Sequence, residues 1–190
     1  MQEPTPITHS PHPDDPRAGR EKSRDELGAA GDRMVRRMLS PLGWRLYMLR
    51  NMPLGLFAGL RITSLSRSGC ATTVPYGWRS TNPFRSTYFA ALSMAAELST
   101  GALAAVATHI APAKVSMFPV RMEAEFLKKA TGTTTFVCEE GERFFAAVRD
   151  AVETGEPTSV EAEAVGNMSN GTIVAKFRFR WSFLSKPRRS

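Results

Sequence analysis

STYFAALSMAAELSTGALAAVATH, residues 86–109, is apolar on nearly every side and carries one charge before its closing histidine, that of Glu97. Runs of alanine and leucine this long favour helix. At about 1.5 Å per residue such a helix spans on the order of 33 Å. A helix apolar all round has to be enclosed, and its alanines and small polar residues let other elements approach closely. A bilayer is one possible enclosure for residues 86–112, but a carboxylate near the centre costs about 3 kcal/mol there, and six serines and threonines accompany it. The expectation is a buried helix with no stable membrane span. Ser86 or Thr87 is the expected cap of its N-terminus.

Outward from this helix the texture turns to strand. Val120, Met122, Ala124 and Phe126 alternate with Arg121, Glu123 and Glu125 within residues 115–128, the pattern of a half-exposed strand. Residues 133–139 form another. Residues 141–154 read as a helix with Phe144, Phe145, Val148 and Val152 on its apolar face, ended by Gly155. Val160, Ala162 and Ala164 alternate with Glu161 and Glu163 in the next strand, and residues 167–171 make a turn. The last strand sets Ile173, Ala175, Phe177, Phe179, Trp181 and Phe183 on one face and Lys176, Arg178 and Arg180 on the other.

Upstream, residues 61–67 and 70–79 read as a strand pair joined at Ser68-Gly69. Before them, Met34, Val35, Met38, Leu39, Leu42, Leu46 and Leu49 recur at helical spacing, Pro41 can open a second helix, and Pro53 interrupts it. Residues 1–30 hold five prolines by position 16 and read as a disordered polar leader. The expected organisation is this leader and one domain over 31–186, with N-terminal helices at 31–59. The expected class is α+β: a largely antiparallel sheet wrapped around one long central helix.

Composition excludes several kinds of function. At 190 residues, 42% of them hydrophobic, the chain can build a core. Cys70 and Cys138 are too few for a disulfide scaffold or a cysteine-only zinc site. Two of the three histidines lie in the leader, so neither metal nor cofactor is expected. The first residues lack the basic and apolar regions of a secretory signal, and the expected compartment is the cytoplasm. Net charge is +7, unevenly placed: residues 33–96 hold nine arginines and no acid, and Glu97 is the sole carboxylate between Asp32 and Glu123. A basic balance suits an anionic partner, with the outward cations of the last strand as one candidate surface. No zinc-finger spacing or RNA-recognition motif appears, so nucleic acid is not an expected partner.

The run Asn82-Pro83-Phe84-Arg85-Ser86-Thr87-Tyr88-Phe89-Ala90, continuing to Glu97, resembles the central-helix signature of hotdog-fold thioesterases. That family often shows an Asn, a Gly and then His-Gly-Gly at the helix start, with an Asp or Glu nine residues after the His. Asn82 falls on the Asn, Arg85 on the first Gly, Tyr88-Phe89-Ala90 on His-Gly-Gly, and Glu97 on the carboxylate. Residues 41–44, the Asn-Pro-Phe turn and residues 95–101 look most like a branch with an extended N-terminal helical region. The resemblance covers about residues 35–185. It implies a hotdog fold, an acyl-CoA thioesterase-like activity, and a homodimer or dimer of dimers. It also implies a site at the dimer interface, with helix start and carboxylate from different subunits.

The residues also specify a chemistry on their own terms. Amides near Phe89 and Ala90, at a helix N-terminus, can polarise a thioester carbonyl. A desolvated Glu97 can serve as general base or nucleophile. Asn82 can hydrogen-bond water or the carbonyl. Ser93 and Thr100 share the helix face of Glu97 and can orient it. Tyr88 offers a hydroxyl, Phe89 adds bulk where glycine would let a ligand approach, and Arg85 brings a cation that can bind phosphate, pair with Glu97 or face solvent. Blander roles stand beside these: Asn82 as a turn former, Tyr88 as packing, Ser93 and Thr100 as satisfiers of the helix backbone, and Glu97 paired with an arginine. The departures from the family pattern leave a second function open, a non-catalytic protein that binds an acyl chain or acyl-thioester on the same fold.

Overall fold

The computed structural model describes residues 27–186. The leader expected over 1–30 lies outside the described residues up to position 26, and Gly28 already opens a helix. Three helices come first: α1 (Gly28–Leu39), α2 (Pro41–Asn51) and α3 (Pro53–Ala58). Ser40 caps α2, its Oγ accepting from the Gly43 amide, and prolines open α2 and α3, where a missing N–H costs nothing. Then follow β1 (Arg61–Leu65), β2 (Cys70–Val74), the long α4 (Phe89–His109), β3 (Val115–Phe126), β4 (Thr134–Cys138), α5 (Gly141–Thr154), β5 (Thr158–Met168) and β6 (Ile173–Ser185).

The six strands form one antiparallel sheet in the order β1-β2-β4-β5-β6-β3. α4 packs across all of them, with α5 beside it. This is the hotdog arrangement. By length and composition α4 could cross a membrane, but the sheet encloses it, with Leu103, Ala104 and Val106 at its centre fully buried. Phe177, Phe179, Trp181 and Phe183 of β6 meet it from the sheet, and Phe136 and Phe144 close the core. Ile173 departs from the expected face: it is exposed, while Val174 and Ala175 are both buried, because pairing with β5 slips between Gly166 and Asn167.

Two polar ties lock α4 to the sheet. Thr72 Oγ1 of β2 donates to the Ala95 carbonyl at 2.6 Å, and Trp181 Nε1 of β6 donates to Thr100 Oγ1 at 3.0 Å. Both are buried, so each supplies a partner that would be expensive to leave unmade. The cysteines face each other across β2 and β4. Both are buried, and burial pushes the Cys138 thiol up to about 11 and Cys70 further still.

Two expectations about surfaces change. β3 is not half-buried. It is the edge strand beside β6, and Val120, Met122 and Phe126 are at least half exposed, because alternation defines a face without supplying a neighbour for it. Two of the three outward cations of β6, the arginines, are paired rather than free. Arg180 pairs with Glu161, and Arg178 lies 3.8 Å from Glu123 on β3 and from Glu163 on β5.

Candidate active site

The turn before α4 is built by Asn82. Its Oδ1 accepts from the Phe84 and Ser86 amides at 3.0 and 3.3 Å and from Ser86 Oγ at 3.3 Å. That turn places Arg85 at φ +56°, the one non-glycine residue with positive φ among the described residues. Arg85 therefore has the left-handed conformation that favours glycine, at the position where the resemblance aligns a Gly. Its side chain is exposed.

Helix α4 starts later than Ser86 or Thr87. Tyr88 occupies the cap position without a capping side chain. Thr87 is committed elsewhere: its amide and hydroxyl both donate to the Ala130 carbonyl, at 2.7 and 3.2 Å. The Tyr88 amide donates to the Ser80 carbonyl at 2.6 Å. Ala91 and Leu92 both donate back to the Tyr88 carbonyl, which leaves Phe89 and Ala90 as first-turn amides without an acceptor among the described residues. A depression of about 540 Å³ lies there, lined by Asn82, Ser86, Tyr88, Phe89, Leu92, Phe126, Lys128 and Lys129. Phe126 of β3 meets Phe89 edge-on at 6.4 Å. The two lysines escaped sequence reasoning; only the Leu-Lys-Lys run after the strand hinted at them, and nothing in it says that this loop folds back onto the helix start.

Glu97 lies two turns further along α4. It is half-buried, and burial holds its carboxyl above the usual glutamate range. It has no ion pair and its carboxylate no hydrogen bond among the described residues, so the pairing with an arginine does not occur among them. The carboxylate folds back over Gly101, four residues on: a Cβ at 101 would stand 2.8 Å from Glu97 Oε1. A glycine inside a long helix costs about 1 kcal/mol relative to alanine, and the room it leaves is filled by this carboxylate.

Ser93 and Thr100 do not orient the carboxylate. Ser93 Oγ donates to the Phe89 carbonyl at 2.8 Å and Thr100 Oγ1 to the Glu97 carbonyl at 3.0 Å. Each satisfies the helix backbone, and Thr100 also accepts from Trp181. Asn82, Tyr88 and Phe89 come together at the depression, while Ala90, Glu97, Ser93, Thr100 and Arg85 are not among the residues that line it. From Phe89 to Glu97 the helix rises about 12 Å. One thioester carbon cannot lie within reach of both in a single copy. Among the described residues no group of three or more His, Cys, Asp or Glu side chains could hold a metal ion.

A family model described as a domain of unknown function (DUF4442) matches residues 45–183. No curated protein matches. Among solved structures, a Pseudomonas aeruginosa protein described as "Probable Thioesterase" is 20% identical, with 77% of this chain and 97% of that one covered at a TM-score of 0.64. A Chlorobaculum tepidum protein of unknown function is 16% identical over 78% of this chain and 98% of its own, at 0.65. A Haemophilus influenzae thioesterase is 10% identical over 79% and 94%, at 0.54. At these identities the likeness shows the fold.

Proposed function

This chain belongs to the DUF4442 family, and on that footing we propose that it is an acyl-thioester hydrolase, acting on acyl-CoA or another acyl-thioester. The observation that carries the proposal is Glu97: an unpaired, half-buried carboxylate with raised proton affinity, seated on a glycine in the central helix. The thioesterase names of structural neighbours lend it support.

In the proposed reaction Glu97 takes a proton from water as the oxygen attacks the thioester carbon. The Phe89 and Ala90 amides stabilise the oxyanion. The carbon–sulfur bond then breaks, the carboxylic acid product forms, and the leaving thiolate takes the proton held by Glu97. Asn82, its Oδ1 spent on the turn, keeps its amide nitrogen for water or the carbonyl. Lys128 and Lys129 supply cations for a phosphorylated carrier.

The separation along α4 requires a second copy, with the helix start of one subunit facing Glu97 of the other. β3 supports this. It is a twelve-residue edge strand with exposed Phe118, Val120, Met122 and Phe126, and long apolar edges are covered in stable proteins. Pairing of β3 with a copy of itself would join two sheets into one. Cytoplasmic location remains part of the proposal.

Phe89 favours a second reading. The residue is 54% exposed beside the first-turn amides and narrows access to them, which suits an acyl-binding protein without turnover. Thiol release from acyl-CoA esters of graded chain length separates the two. Hydrolysis that falls about a hundredfold or more in Glu97→Gln supports the enzyme; bound lipid in native mass spectrometry with no release at any chain length supports the binder.

A further inference from the structure

The helices before β1 carry a second apolar surface that the core does not use. α2 turns Trp44 and Met48 inward, where both are buried. Its other side presents Leu42, Leu46 and Leu49 at spacings of four and three, exposed by 69%, 59% and 62%. α3 repeats the pattern, with Gly55 and Ala58 inside and Leu54 and Phe57 outside. Phe57 meets Trp78 edge-on at 5.7 Å, and Trp78 is 78% exposed. A single surface leucine needs no explanation, but a connected apolar patch marks an interaction site.

Charge selects the occupant. A groove of about 570 Å³ between α2, α3 and β1 places Arg45, Arg61 and Arg79 against Leu49, Leu56 and Phe57. The Arg79 guanidinium lies over Gly59, where φ is +80° and a Cβ would meet it at 3.3 Å. Among the described residues, Arg45, Arg50, Arg61 and Arg79 have no ion pair, whereas Arg67, Arg121, Arg143, Arg149, Arg178 and Arg180 each have at least one. The stretch from 33 to 96 offers no acid of its own, and of its arginines only Arg67 reaches one from elsewhere among the described residues, Glu142. A second copy seated here about a two-fold axis would set arginine against arginine. Leucines and an exposed tryptophan interleaved with unpaired guanidiniums match an interface of acyl chains under anionic headgroups.

We propose that this face docks the protein on an anionic bilayer surface. The patch flanks β1, at the opposite edge of the sheet from β3, so pairing through β3 leaves it open. The proposal does not depend on Glu97 or on turnover.

The test mixes the full chain with vesicles of phosphatidylcholine alone or with phosphatidylglycerol added. Trp44 and Trp181 are buried, so a blue shift of tryptophan emission reports Trp78. The expected result is co-sedimentation and a blue shift with the anionic vesicles only, weakened by added salt. Arg45→Gln with Arg79→Gln lowers partitioning roughly tenfold or more, and Leu46→Gln with Leu49→Gln does likewise, both without a change in melting temperature. Trp78→Phe removes the shift. Absence of binding to the anionic vesicles, or binding that both double variants retain, overturns the proposal. So does a change in native mass by light scattering in Leu46→Gln/Leu49→Gln without lipid, which assigns the face to a second copy.

Discussion

A methyl group added at position 101 would stand 2.8 Å from Glu97 Oε1 and 3.4 Å from both the Glu97 Cδ and the Trp181 ring. The ring contact is tight but tolerable, and the carboxylate contact is not. The carboxylate is the end of a flexible side chain, so in Gly101→Ala it gives way while the helix stays. Alanine gains about 1 kcal/mol over glycine in a helix interior. Forcing the glutamate from its rotamer costs about 0.5–1.5 kcal/mol. The two nearly cancel, and unfolding free energy by urea denaturation should stay within about 1 kcal/mol of wild type.

Activity has no such compensation. A displacement of the base by about 1 Å costs on the order of a hundredfold in rate, so thiol release should fall by about that factor. A carboxylate pushed off its seat gains water, and the acidic limb of the pH–rate profile should move down toward the ordinary glutamate range. Full activity with an unmoved profile would refute the role given to the seat. A loss of stability above about 3 kcal/mol would show instead that backbone or Trp181 had moved.

Three further outcomes are expected. The folded chain holds the Glu97 proton to higher pH than the unfolded chain does. Stability from this group is therefore complete below the ordinary glutamate range and is lost as pH rises through the raised value. Glu97→Gln should melt above wild type at neutral pH, and calorimetry should find that advantage gone in acid. Arg85→Gly relieves a left-handed residue that costs about 1 kcal/mol and should raise the urea midpoint by an amount equivalent to about 0.5–1 kcal/mol; a lower midpoint would mean that the arginine side chain earns its conformation. Val120→Lys with Met122→Lys charges the β3 edge and should convert a dimer to a monomer in light scattering. A wild type that is monomeric at all concentrations would remove β3 from the assembly.

Much of the architecture was legible because periodicity survives folding. The helix at 141–154 has the boundaries its apolar spacing predicts, and β6 buries four of the aromatics its alternation set on one face. What alternation cannot supply is a neighbour, which is why β3 read as half-buried and is exposed. Hydroxyls misled for a related reason. Ser86 and Thr87 stand where a cap is expected, but Ala130, far along the chain, claims Thr87, and Asn82 claims Ser86. The isolation of Glu97 among small residues makes it a candidate, and the structure leaves it half-buried without an ion pair among the described residues. Its seat was not legible, since Gly101 in a helix interior looks like a weakness until the carboxylate is placed over it. Lys128 and Lys129 became visible only when the loop after β3 closed on the helix start.

The altered helix start is best understood by separating backbone from side chain. Where the resemblance aligns a glycine, Arg85 adopts a conformation that glycine favours, as a turn suited to glycine requires. The amides of Phe89 and Ala90 have no acceptor among the described residues, and the bonds that hold the turn use the Asn82 side chain and the backbone, including the Tyr88 amide on the Ser80 carbonyl, rather than the side chains of Tyr88 and Phe89. An oxyanion stabilised by backbone amides depends on the path of the backbone and not on an imidazole. The side chains that differ instead reshape the mouth: Tyr88 and Phe89 form an aromatic wall with Phe126, and Lys128 and Lys129 rim it. On the proposed function, the substitutions therefore act on which acyl-thioester enters, while the capacity to polarise its carbonyl stays with the backbone.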